Sequence, residues 1–135
     1  MSKMKFPTVK GQIEQIMEGI MNAPEIKAVS DEAAFSLRLA IEELTANVMN
    51  YAYAESEDGS LCVEIMREED KLCITLSDHG TPFNPLEHED PDVTLSAEDR
   101  EIGGLGIFLV KQLMDSVEYE YIDGENRTTI QKIIN

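Results

Sequence analysis

The sequence predicts an α+β fold, a two-layer sandwich with helices packed on one face of a mainly antiparallel sheet. Three observations predict it. Two segments near the start carry apolar residues three and four positions apart; two later pairs of short segments alternate apolar and polar residues around tight turns; and a third helical stripe separates those pairs. The order that results is ααββαββ in one domain spanning residues 1–135, a length that buries a core without disulfides or metal to brace it.

Val9 to Met21 places Ile13, Ile16, Met17 and Ile20 at helical spacing, and Asn22-Ala23-Pro24 closes that helix. Ser30-Asp31-Glu32 opens a second helix with Ser30 as N-cap; Ala33 three positions on makes this a cap without the full capping box. It runs to about Tyr53 with Ala34, Leu37, Ile41, Leu44, Val48 and Tyr51 or Ala52 on one face. Leu61, Val63 and Ile65 then alternate with Cys62, Glu64 and Met66, and Glu68-Glu69-Asp70 turns the chain into Leu72, Ile74 and Leu76, which reads as a β-hairpin. A segment rich in Pro, Asp and Glu continues to Glu101; loops of that length are usually functional lids or disordered. A helix from about Leu105 to Met114 buries Ile107, Val110, Leu113 and Met114. Strands Val117 to Tyr121 and Thr128 to Ile134, joined by Asp123-Gly124-Glu125-Asn126, complete the chain.

Composition narrows the function classes. With 42% hydrophobic and 28% charged residues this is a globular chain, and no apolar run approaches the roughly 20 residues that span a bilayer, so a cytoplasmic protein is expected. A net charge of −16 repels nucleic acid over most of the surface. Cys62 and Cys73 fall inside strands and read as small packing residues; neither pairs in spacing with His79 or His88, which sets zinc aside. Between Glu87 and Glu101 seven acidic residues face only Arg100, so a nucleotide bound there requires a divalent cation to offset the repulsion.

Three features carry chemistry. Glu43 and Asn47 lie four apart on the second helix and project from one flank of its apolar stripe. Asparagine is a mediocre helix former; as a functional residue, Asn47 supplies a carbonyl ligand to an octahedral Mg²⁺, and Glu43 a carboxylate that accepts a proton from an attacking hydroxyl at a terminal phosphate. The alternative is a pair of surface polar residues, as Glu42 is explained by a surface ion pair with Arg38. Asp78-His79-Gly80 ends a strand, where the aspartate can accept a hydrogen bond from an exocyclic amine and Gly80 lets a flat ligand approach; the alternative is an ordinary turn. Gly103-Gly104-Leu105-Gly106 precedes a helix and aims backbone N–H groups at an anion, or else forms a hinge.

In this order the three features resemble the GHKL superfamily of ATPases and kinases: Glu43 to Asn47 matches its N box, Asp78 to Gly80 its first glycine box, and Gly103 to Gly106 its second. Ala40-Ile-Glu-Glu-Leu, Asn50-Tyr-Ala-Tyr53, Gly103-Gly-Leu-Gly-Ile-Phe-Leu-Val110 and Met114-Asp-Ser-Val117 are similar to the anti-sigma-factor serine kinases. The resemblance implies ATP and Mg²⁺ as cofactors. It assigns Asn47 to the metal, Glu43 to the base, Asp78 and Gly80 to the adenine, Gly103, Gly104, Leu105 and Gly106 to the phosphates, Thr128 to the adenine side, and Arg100 to the terminal phosphate. It also implies a homodimer whose partners are a small anti-sigma-factor antagonist and a sigma factor. Tyr51 stands where many relatives have His or Lys, Pro82 replaces a second glycine, and Arg127 replaces the glycine usual before Thr128. A regulatory module that binds ATP without turnover is the alternative function; a histidine-kinase fragment fits less well, because both histidines fall in loops.

Overall fold

The computed structural model describes residues 1–8, 12–52, 59–87 and 104–134, and of Gly104 and Leu105 the backbone alone. Strands β1 (Ser2–Pro7), β2 (Ser60–Glu68), β3 (Lys71–Asp78), β4 (Ser116–Ile122) and β5 (Glu125–Ile133) form one sheet in the order β1-β2-β3-β5-β4, every neighbouring pair antiparallel. Helices α1 (Ile13–Met21), α2 (Pro24–Lys27), α3 (Asp31–Asn47) and α4 (Gly104–Leu113) supply the second layer. Among the described residues no helix is long and apolar enough to cross a membrane.

Alternation fixes the register. Leu61, Val63 and Ile65 of β2, Leu72, Ile74 and Leu76 of β3 and Ile130 of β5 occupy the inward pleat and are fully or almost fully buried. They form one core cluster with Ile16, Met17 and Ile20 of α1, Leu37, Ala40, Ile41 and Leu44 of α3, and Ile107 and Val110 of α4. Both hairpins close through two-residue turns. At Asp123-Gly124 both residues have positive φ, 54° and 77°, the conformation whose twist matches the flanking strands and that Gly adopts without strain. Ser30 caps α3, its Oγ accepting from the Ala33 N–H at 3.1 Å.

Several elements depart from the sequence expectation. β1 was not anticipated: Ser2–Pro7 is short and lysine-bearing and ends in proline, as befits an edge strand, yet it pairs with β2 through all six residues. Pro24, expected to end the first helix, starts the short α2. The described part of the first helix begins at Ile13; Val9 and Lys10, expected within it, lie outside the described residues, as does Tyr53. Cys62 and Cys73 do not join the core; each is half-buried on the outward pleat, and both are free thiols. Arg38 ion-pairs with Glu14 of α1 at 3.2 Å, not with Glu42.

Ile74→Ala, a truncation at the centre of the inward pleat, is expected to lower the unfolding free energy by about 2–5 kcal/mol, and Ser30→Ala by about 1 kcal/mol, both read from urea denaturation.

Candidate functional site

α3 does not end as an α-helix. Thr45, fully buried, turns its hydroxyl back onto the Ile41 carbonyl at 2.8 Å, and beyond Asn47 the chain widens into a π-turn over Val48–Ala52. Such widenings are rare and recur at functional sites. Asn47 therefore stands at a junction and not in mid-helix; its side chain is buried, which a surface polar residue would not be.

The sheet layer meets that junction at the end of β3. The Thr81 N–H donates to Ala52 O at 2.9 Å, and a Cβ built on Gly80 would lie 2.5 Å from the same carbonyl oxygen. What the missing side chain of Gly80 admits is thus the backbone of the π-turn, where the sequence suggested a flat ligand. Tyr51 of the π-turn stacks on Phe83, ring centroids 4.6 Å apart and planes 11° from parallel. Between the two layers lies a small cleft of about 20 Å³ lined by Leu44, Asn47, Val48, Ala52, Asp78, Phe83, Pro85, Asn126 and Thr128. Small-molecule sites usually measure roughly 300–1,000 Å³, so these residues frame one end of a ligand and do not enclose a whole one.

Asp78 is the charged group of the cleft and is 4% exposed. Its Oδ1 accepts from the Gly80 N–H at 2.9 Å and from Asn126 Nδ2 at 2.9 Å. Burial pushes its pKa above the ordinary aspartate value, against the opposing pull of the Asn126 and Gly80 hydrogen bonds. Asn126 also donates to Thr81 O at 3.0 Å, and its Oδ1 accepts from the Phe83 N–H at 3.0 Å and from the Tyr119 hydroxyl. Thr128, two residues further along the inward pleat of β5, is buried against the same space. Arg127 between them points outward, where it pairs with Glu125 at 2.8 Å, and so leaves the cleft clear.

Glu43 lies against the other helix. A Cβ built on Gly106, in the first turn of α4, would fall 1.9 Å from Glu43 Oε1, so the glycine leaves room for that carboxylate. Burial, and secondarily the neighbouring Glu42 charge, raise the Glu43 pKa above its ordinary value. The structure thus brings Asn47, Asp78 and Thr128 to one cleft, with Gly80 at its edge, and joins Glu43 to Gly106 one helical turn from Asn47. The backbones of Gly104 and Leu105 open α4. Gly103 and Arg100 lie outside the described residues, as does the acidic segment from His88 to Glu101. Sequence reasoning missed Asn126 and Tyr119. A signal existed for the first: Asn126 and Thr128 share a pleat with Ile130, and polar side chains on an inward pleat demand partners.

Two glycines separate by what their new methyl would strike. Gly80→Ala meets backbone and is expected to destabilise by about 1–3 kcal/mol, whereas Gly106→Ala meets the movable end of Glu43 and is expected to change stability by less than about 1 kcal/mol. Urea unfolding of both checks the contrast. Asp78 gives a pH test. Because its folded pKa is raised, its contribution to stability is complete below about pH 3.8 and is lost as pH climbs through the raised value. Asp78→Asn keeps an acceptor oxygen for Gly80 and Asn126, so its stability relative to wild type is expected to improve as pH rises above 3.8, measured by denaturant midpoints across pH.

Comparison with known proteins identifies the family. The family model described as the histidine kinase-like ATPase domain matches residues 6–132. Serine-protein kinase RsbW of Listeria monocytogenes serovar 1/2a is 38% identical over 110 residues, covering 78% of this chain and 69% of the relative. RsbW of Oceanobacillus iheyensis is 28% identical over 121 residues, with 83% and 72% covered. Serine/threonine-protein kinase BtrW of Bordetella bronchiseptica is 23% identical over 96 residues, with 71% and 68% covered. Among solved structures, the histidine kinase domain of the blue-light activated histidine kinase EL346 from Erythrobacter litoralis superposes with a TM-score of 0.60 at 14% identity; the match covers 90% of this chain but only 59% of that one, and bears on the fold alone. The chain belongs to the family of histidine kinase-like ATPase domains and, within it, to that of the RsbW serine-protein kinases.

Proposed function

We propose that this chain is an ATP-dependent serine-protein kinase of the anti-sigma-factor type, which transfers the ATP γ-phosphoryl group to a serine of a small antagonist protein and regulates transcription by exchanging that partner for a sigma factor. One observation carries the reading: Asn47, Asp78 and Thr128, from three separate elements, line one cleft, while Glu43 sits a turn from Asn47 against the start of α4. The printed names of the relatives, serine-protein kinase and serine/threonine-protein kinase, support the reaction class. A cytoplasmic homodimer is part of the same proposal.

In this reading Asp78 accepts a hydrogen bond from the exocyclic amine of adenine, with Gly80 bracing the turn beside it and Thr128 on the same wall. The backbone N–H groups of Gly104, Leu105 and Gly106 at the start of α4, with Gly103 ahead of them, face the phosphates. Arg100 is assigned to the terminal phosphate. Among the described residues there is no group of three or more His, Cys, Asp or Glu side chains that could hold a metal. Asn47, whose buried side chain lines the cleft, would hold a cation through its amide oxygen, with phosphate oxygens and water completing the shell, a hard-oxygen set that suits Mg²⁺. Bound there, Mg²⁺ supplies neutralisation of the charge on the β- and γ-phosphates. Glu43 holds the proton released by the attacking serine hydroxyl. Its raised pKa makes it a stronger base than an exposed glutamate, suited to work nearer neutrality.

Incubation of the protein with labelled ATP, Mg²⁺ and a candidate antagonist is expected to yield phosphoserine. The rate should rise with pH across an acid limb lying above pH 4.5, as Glu43 ionises. Glu43→Gln should remove that limb and slow transfer by roughly 10²–10⁴-fold while Mg-ATP affinity stays within a few-fold. A wild-type protein that binds Mg-ATP yet transfers nothing to any antagonist would exclude the kinase and leave a nucleotide-sensing module.

A further inference from the structure

Asn126 is engaged on every side. The orientation of its amide is not a matter of choice: the Phe83 N–H is only a donor, so the atom 3.0 Å from it is the carbonyl oxygen, and the Tyr119 hydroxyl adds a second hydrogen bond on that oxygen. The opposite atom faces three oxygens, Asp78 Oδ1 at 2.9 Å, Thr81 O at 3.0 Å and Gly80 O at 3.5 Å, and is therefore the NH₂ group. An amide pinned at both ends holds whatever it touches. What it touches is the buried carboxylate at the cleft wall, whose Oδ1 already takes the Gly80 N–H.

With two donors on Oδ1, that oxygen is committed as an acceptor and the plane of the carboxylate is set. We infer that Asn126 is a positioning residue which, through Asp78, makes the cleft select a 6-amino purine over a 6-oxo purine. The inference rests on the nucleotide reading above and deepens it. Asn126 turns the second carboxylate oxygen toward the ligand as an acceptor. An amine at the purine 6-position donates to it; a carbonyl there meets it oxygen to oxygen, leaving two buried acceptors unsatisfied. Asn126 acts by aligning Asp78, and any bracing of the Gly80 to Phe83 turn is a separate duty that treats both purines alike.

Calorimetric titration of the full chain with Mg-ATP and with Mg-ITP, which differ in the 6-substituent, separates the two duties. Wild type is expected to prefer ATP by roughly tenfold or more. Asn126→Asp sets a second carboxylate where Nδ2 stood, 2.9 Å from Asp78 Oδ1, and the two then share a proton, so the aligned acceptor is lost. ATP affinity should fall by roughly tenfold while ITP affinity moves little, and the preference should collapse. Equal weakening of both nucleotides, with the ratio kept, would mean that Asn126 only braces the turn and overturns the inference. Should circular dichroism show Asn126→Asp unfolded, Tyr119→Phe decides: losing the hydroxyl loosens the amide and should reduce the ratio in the same direction, and an unchanged ratio overturns the inference. Wild-type protein that binds both nucleotides equally sinks this inference and leaves the nucleotide site standing; wild type that binds neither removes both.

Discussion

Where the helical layer meets the sheet at the candidate site, two backbones touch. Ala52 O accepts from the Thr81 N–H at 2.9 Å, and the absence of a side chain on Gly80 is what lets the π-turn come that close. The rest of the site follows from this contact. Because the last turn of α3 widens after Asn47 and settles on the end of β3, an amide from one layer and a carboxylate from the other line the same cleft. The Tyr51–Phe83 stack repeats the contact one step further out, between side chains of the same two segments. The chain builds this seam from backbone, where the geometry is least free to drift.

The site is also where the chain sets carboxylates against their preference. Asp78 is buried and Glu43 half-buried, and desolvation raises the pKa of each. In a protein of net charge −16 there is no shortage of exposed positions for acids, so a buried aspartate and a half-buried glutamate mark a requirement other than stability. Their environments differ in kind. Asp78 is given two hydrogen-bond donors that favour its charged form, whereas the neighbour that acts on Glu43 is another acid, Glu42. A carboxylate fixed as an acceptor and a carboxylate eased toward holding a proton are suited to recognition and to proton transfer respectively.

Much of this was legible in the sequence, for reasons that can be traced residue by residue. Period-two alternation at Leu61, Val63 and Ile65 and at Leu72, Ile74 and Leu76 reports burial on one pleat, so the central hairpin and the α+β layering were readable. The Ser30 cap was readable because its hydroxyl acts within four residues. β1 was not, since its partner β2 lies more than fifty residues away and its own residues, Lys3, Lys5 and Pro7, argue locally against a strand. The π-turn was equally hidden: nothing in Val48–Ala52 breaks a helix, and its form depends on Ala52 meeting the Thr81 N–H across the layers. Glu43, Asn47, Asp78 and Gly106 could be singled out by type and spacing. The meaning of Gly80 and Gly106 could not, because what a missing Cβ makes room for, a carbonyl in one case and the Glu43 carboxylate in the other, exists only once the chain has folded. Asn126 looked like a turn residue since Asn favours turns, and only the pleat it shares with Thr128 and Ile130 turns it inward.

The most direct measurement follows two asparagine side chains, one in each layer, by nitrogen–proton NMR during titration with Mg-ATP. If one nucleotide bridges the layers, the side-chain amide signals of Asn47 and Asn126 shift together along a single saturation curve, and Asp78→Asn weakens both responses alike. Signals that move separately, or an Asn47 amide that stays still while Asn126 responds, would mean that the cleft does not hold one ligand between helix and sheet.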